Sequence, residues 1–88
     1  MEQGLSQYYI FYAVARHGNI SRAAEELFIS QPAISKGIHK LEGTLGTRLF
    51  KRNSRGVTLT EDGELLFQYV EEAFASLDTA EKLLERRQ

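Results

Sequence analysis

The chain has 88 residues, 42% of them hydrophobic, enough for one small domain whose core is thin and gains from oligomerisation. It has no cysteine, which excludes a disulfide framework and thiolate-rich zinc sites and fits a cytoplasmic protein; no apolar run approaches the roughly 18 residues of a membrane span, and no signal-peptide pattern opens the chain. The net charge of −1 hides a segregation: residues 30–60 hold six bases against one acid, and residues 61–88 hold eight acids against three bases. Salt screens charges beyond about 8–10 Å, so a polyanion meets the local basic patch and not the average.

Leu5, Tyr8, Phe11, Tyr12, Val14 and Ala15 recur at spacings of three and four and predict a helix over about residues 4–17. Gly18 fits a left-handed stop, and His17 sits in the last turn, where a base favours the helix dipole. Asn19-Ile20 is a connector, and Ser21 is the expected N-cap of a second helix over about residues 22–28, with Ala23, Ala24 and Leu27 inward. Ser30 caps a third helix, Pro32 fits its first turn, and Gly46 stops it after Leu45. Only a tight turn fits between the second and third helices, which is what a helix-turn-helix over about residues 20–39 needs, although the turn contains no glycine. Residues 48–52 and 56–59 flank the polar Asn53-Ser54-Arg55 and predict a β-hairpin. Thr60 then caps a helix with Glu61, Asp62 and Glu64 in its first turn, about 27 residues or roughly 40 Å if it runs to the end. The expected fold is mainly α: a winged helix-turn-helix over residues 3–60, three helices plus a two-stranded β-hairpin wing, followed by a long linker helix over residues 61–88.

At 100° per residue the third helix separates into two faces. Ile34, Ile38, Leu41 and Leu45 form the expected buried seam; Pro32, Ser35, Lys36, His39, Lys40 and Gly43 lie opposite. A face of small, cationic and hydrogen-bonding residues suits the major groove of B-DNA, about 12 Å wide. There Gln31 would pair with adenine, Lys36 would donate to guanine, and Ser35 would bond a base edge or a phosphate. In the hairpin, Arg55 at the tip suits a narrow minor groove, behind Lys51 and Arg52 on the first arm. The candidate DNA-binding set is Ser30, Gln31, Pro32, Ala33, Ser35, Lys36, His39, Lys40, Lys51, Arg52, Ser54 and Arg55. Arg48 is equally suited to a salt bridge with Glu42.

In the last helix Leu66, Val70, Ala73, Phe74, Leu77, Ala80 and Leu84 form the candidate dimerisation seam, with Phe67 widening it. The first turns, near Leu65 and Leu66, are expected to fold back on the domain, and the remainder to meet a second copy, because exposed patches of that size are rare on monomers. The acidic outer face, Glu71 and Glu72 included, would be repelled by phosphates. No enzyme is expected: His17 and His39 have no catalytic constellation, and no glycine-rich phosphate loop is present. No metal site is expected either. A protein-interaction module acting through the last helix is the competing reading, and it predicts no salt-sensitive DNA binding. Single-stranded RNA is disfavoured because the aromatics sit in helical core stripes.

Five stretches carry a resemblance: Asn19-Ile20-Ser21-Arg22-Ala23-Ala24, Ser30-Gln31-Pro32-Ala33-Ile34-Ser35-Lys36, Leu41-Glu42, Leu45-Gly46-Thr47-Arg48-Leu49-Phe50-Lys51-Arg52, and Leu59-Thr60-Glu61-Asp62-Gly63. In this order and spacing, across almost the whole chain, they resemble the DNA-binding domain of bacterial LysR-type transcriptional regulators. The resemblance implies double-stranded DNA and a second copy of the chain as partners, on an inverted-repeat operator, with a tetramer possible for a full-length protein. It marks Gln31, Pro32, Ser35 and Lys36 as the base-reading set and Arg55 as the minor-groove residue. It implies no cofactor in this chain, and a small-molecule co-inducer bound by a C-terminal domain not present here. The ending Glu85-Arg86-Arg87-Gln88, with no capping glycine, fits the DNA-binding half of a longer protein. Three departures stand out: Lys36 where the family often has arginine, glycines at 37 and 43 where longer side chains are usual, and Tyr8 for a more usual leucine. Lysine lacks the bidentate fork of arginine, so base discrimination at Lys36 is expected to be looser.

Overall fold

The computed structural model describes residues 2–88, with side chains from Ser6 onward, so the side chain of Leu5 lies outside the described residues. Four helices and one hairpin follow in the order α1 (Glu2–His17), α2 (Ile20–Leu27), α3 (Gln31–Leu45), β1 (Phe50–Asn53), β2 (Gly56–Leu59) and α4 (Glu61–Arg86). The α1 stripe is the centre of the core. Phe11, Ala13 and Val14 are buried, with Tyr8, Ile10, Tyr12 and Ala15 packed around them, and α2, α3, α4 and β2 all contact this helix.

Helix ends follow local hydrogen bonding. α1 and α3 stop at left-handed Gly18 (φ 65°) and Gly46 (φ 71°). Ser30 Oγ accepts from the Ala33 N–H at 3.2 Å, and Thr60 Oγ1 from the Gly63 N–H at 3.0 Å. The expected Ser21 cap is corrected: Asn19 caps α2, its Oδ1 accepting from the Arg22 N–H at 2.9 Å, so the helix begins at Ile20. Both residues are good caps, and the one whose carbonyl oxygen can reach the third residue's N–H here is the asparagine. The glycine-free turn is closed by Phe28 in the left-handed region (φ 58°). Its N–H bonds to the Glu25 carbonyl and that of Ile29 to the Ala24 carbonyl, the paired bonds of a Schellman motif without its glycine.

Ala23 and Ala24, both buried, form the face of α2 that lies in the core beside α1 and α3. Gly37 does the same for α3. A Cβ there would meet Ile10 Cδ1 at 2.7 Å, so this glycine serves helix packing and not DNA approach. The Gly43 position is open space. Ile34, Ile38 and Leu41 are buried as the seam requires, but Leu45 is 42% exposed. The last turn of α3 overhangs the core, with Gly43, Thr44 and Gly46 exposed beside it. Arg16 and His17 both bond Glu26, at 2.6–2.7 Å, tying the end of α1 to α2. The hydrogen bond from His17, then those from Arg16, hold the Glu26 carboxyl below its usual pKa.

The hairpin is antiparallel, pairing Phe50 with Leu59 through Asn53 with Gly56, and leaves Ser54-Arg55 as a two-residue tip. Asn53 Oδ1 accepts from the Arg55 N–H at 2.9 Å and folds that tip. Val57 N–H bonds to the Gly18 carbonyl at 3.1 Å, anchoring β2 to the end of α1.

α4 is 26 residues, about 39 Å at 1.5 Å per residue. Side chains along it are covered by the domain as far as Phe74, and every residue beyond is exposed. Tyr12 stacks on Phe67 at 5.5 Å and meets Phe74 edge-on at 5.1 Å, while Tyr9 stacks on Phe74 at 4.6 Å. No helix among the described residues is long and apolar enough to cross a membrane.

Candidate nucleic-acid interface

Every residue of the candidate DNA-binding set is solvent-exposed except Ser35, which is half-buried. Capping puts Gln31 and Pro32 in the first turn of α3, and the 3.6-residue period carries Ser35, Lys36, His39 and Lys40 along the side away from Ile34, Ile38 and Leu41. The Ser30 side chain is partly committed, because its oxygen holds the Ala33 N–H; its hydroxyl hydrogen stays free to donate. Ala33 offers a methyl group, suited to apolar contact with thymine.

The wing is brought against this helix. Ser35 and His39 of α3 line one small cleft together with Ile20 of α2 and with Arg48 and Arg52 of the wing segment. A second hollow joins Asn19, Ile20 and Ser21, at the start of α2, to Arg52 and the Ser54-Arg55 tip. The helix-turn-helix and the wing therefore form one continuous surface. Lys36, Lys40, Lys51, Arg52 and Arg55 make no ion pair among the described residues, so their charge is free for an anion. The acid within this stretch is buried at the floor of the small cleft and bonded to backbone: Glu42 is only 8% exposed, and its Oε2 accepts from the Leu49 N–H at 2.8 Å and the Phe50 N–H at 3.4 Å. Arg48 Nε lies 3.7 Å from the same oxygen, in the pairing that the sequence allowed. Among the described residues no group of three or more histidines or carboxylates is placed to hold a metal.

The candidate dimerisation seam is divided by the fold. Val70 is buried, and Leu66 and Phe74 are half-buried against the domain's own core. The fold itself thus covers Val70, and the rings of Tyr9 and Tyr12 pack against Phe74. Ala73, Leu77, Ala80 and Leu84 are exposed. Leu65, expected to fold back, is 59% exposed and joins Tyr69 and Leu83 on the uncovered side. These three lie about 60–100° off the four-three repeat; their signal in the sequence is the breadth of the apolar arc, too wide for one neighbour.

A helix pair joined by a tight turn, whose second helix bares a polar, cationic face next to a basic hairpin, defines a winged helix-turn-helix, a fold class for reading duplex DNA. The chain belongs to the LysR family of bacterial regulatory helix-turn-helix proteins, whose family model matches residues 5–64. It is 45% identical over 78 residues to the glycine cleavage system transcriptional activator of Escherichia coli K12, covering 89% of this chain and 26% of that protein. It is 45% identical over 85 residues to the RuBisCO operon transcriptional regulator of Allochromatium vinosum, covering 97% of this chain and 28% of the relative. The chain thus spans little more than a quarter of the length of these relatives. Among solved structures it is similar to the BenM DBD in its complex with catB site 1 DNA, at TM-score 0.84 and 33% identity, covering 93% of this chain and 92% of that one. It is also similar to the CbnR DBD–DNA complex, at TM-score 0.79 and 30% identity, covering 93% and 94%. Fold and family together make it a helix-turn-helix DNA-binding domain of a bacterial transcriptional regulator.

Proposed function

We propose that this domain binds an inverted-repeat operator as a dimer, with α3 in the major groove and the Ser54-Arg55 tip in the adjacent minor groove. One observation carries the reading: Gln31, Lys36, His39 and Lys40 are exposed and Ser35 half-exposed on one side of α3, and that side runs into the unpaired cations of the wing. Gln31 and Lys36 read base edges, Ser35 and His39 bond bases or phosphates, and Lys40, Lys51 and Arg52 neutralise phosphates. A single helix reads only a few base pairs; the exposed half of α4 supplies the second copy that doubles the site. The role is recognition without catalysis, in the cytoplasm, where the chromosome lies. A longer regulator containing this domain would take its small-molecule co-inducer in a region C-terminal to it and could assemble further, as a tetramer.

Selection of bound duplexes from a random pool tests this. Enrichment of an inverted repeat, with an affinity that falls steeply as salt rises, is the expected result. No enrichment and a flat salt response would instead support an interaction module working through α4.

A further inference from the structure

Glu42 is the one acid in a stretch built to meet a polyanion, and it is almost wholly buried. A buried carboxylate is costly unless its oxygens are satisfied. Here the carboxylate's contacts run one way: from α3 to the segment that opens the wing, at the N–H groups of Leu49 and Phe50 and beside the Arg48 guanidinium. The other side of that segment is fixed to α4. Leu49 carbonyl accepts from the Thr60 N–H at 2.9 Å, and Arg48 carbonyl from Thr60 Oγ1 at 2.7 Å. Gly63 lies so close to the Leu49 carbonyl oxygen that a Cβ there would collide with it. Leu49 is thus the crossing point of three elements, and Glu42 is the polar contact that joins it to α3.

Resting on the DNA-binding reading above, we propose that Glu42 is a positioning residue for DNA recognition: it sets the wing against α3 so that the base-reading face and the Ser54-Arg55 tip engage adjacent grooves together. The carboxylate touches no DNA. It lines the cleft that Ser35 and His39 share with Arg48 and Arg52, at the junction of the two groove-reading parts. Two N–H groups on one oxygen fix direction as well as distance, which a packed apolar side chain at this position would not do.

The inference opposes simple electrostatics. Removing an acid from a DNA-binding domain adds one positive charge, and on charge alone Glu42→Gln tightens binding to every duplex. A positioning role predicts the reverse for the selected duplex only. The test measures wild type, Glu42→Gln and Glu42→Asp against a duplex enriched by the wild-type domain and against a random-sequence duplex of equal length, below the melting temperature of each variant. Glu42→Asp keeps the charge but is one methylene too short to hold both N–H groups. Both variants are expected to lose about tenfold on the enriched duplex, the worth of one well-placed groove contact, with minor-groove protection at the wing position weakened. Binding to the random duplex is expected to be unchanged or tighter. Unchanged or tighter binding of the enriched duplex by Glu42→Gln, with the wing footprint kept, would overturn the proposal, as would equal losses on both duplexes. Should neither variant fold, amide exchange in the wild-type protein decides: a Leu49 N–H protected far beyond that of Ser54 supports the clamp, and one exchanging as fast refutes it. If the wild type itself enriches no duplex, it is the DNA-binding reading that has failed.

Discussion

Along α3 the uncovered residues include Gln31, Lys36, His39 and Lys40; along α4 beyond Phe74 every residue is uncovered, among them the apolar Leu77, Ala80, Leu83 and Leu84. Both helices are amphipathic, and both press one face onto α1. They differ in what is left over. The remainder of α3 is cationic and hydrogen-bonding, at no great cost to a solvated protein, and acquires a partner only where a polyanion is present. The remainder of α4 keeps an apolar stripe between its charged residues, and that stripe carries a standing free-energy drive toward another apolar face. One domain therefore has two surfaces governed by different physics, one weakened by salt and the other by loss of buried area.

The largest test of this contrast is Leu77→Glu combined with Leu84→Glu. Both residues are more than half exposed, so the fold is expected to survive while the dimer is lost in sedimentation. Affinity for a two-half-site duplex is expected to drop about 10²–10⁴-fold, the usual worth of tethering a second site. Next comes Phe74→Ala, which removes the stack on Tyr9 and the edge contact with Tyr12. Half-burial reduces the cost from that of a full core phenylalanine to about 2 kcal/mol, roughly 10 °C in melting temperature, with the dimer retained. A dimer lost without loss of stability would place Phe74 in the interface instead.

Within the DNA surface, Gln31→Ala is expected to relax specificity at one base position by about 1–3 kcal/mol. Lys51→Ala should weaken all sequences alike and lower the salt slope by about one. Identical behaviour of the two variants would remove the distinction between reading and anchoring. The smallest effect concerns Glu26, whose carboxyl is held below its usual pKa by His17 and then Arg16. A depressed folded-state pKa stabilises above the unfolded value and is lost as pH falls through the folded one. Glu26→Gln should cost about 0.2–1 kcal/mol near neutrality, as expected of a partly exposed pair, and the gap from wild type should close on acidification.

Much of this was legible in the sequence where the signal is local. Ser30, Gly46, Thr60 and the Asn53-Ser54-Arg55 turn act through bonds to neighbours a few residues away, so residue type and spacing place them. The start of α2 was misplaced by one cap because Asn19 and Ser21 are chemically equivalent candidates and only backbone geometry selects between them. The periodicity of α4 gives directions around an axis but not which direction meets α1, so it did not show that Val70 is buried within the domain or that Tyr9 and Tyr12 pack on Phe74. Leu45 failed for a related reason: it points the right way but lies past the edge of the core. Glu42 was the least legible. On a helix a glutamate reads as a solvated charge, and only the return of the chain at Leu49 and Phe50 supplies the N–H groups that bury it.

The most direct test of the two-surface account follows backbone resonances of the domain as a duplex enriched from the random pool is added. Gln31, Ser35, Lys36 and Lys40 together with Arg55 are expected to shift, while Leu77, Ala80 and Leu84 stay where the free dimer has them. Shifts confined to the exposed half of α4, with α3 and the hairpin tip unmoved, would contradict it.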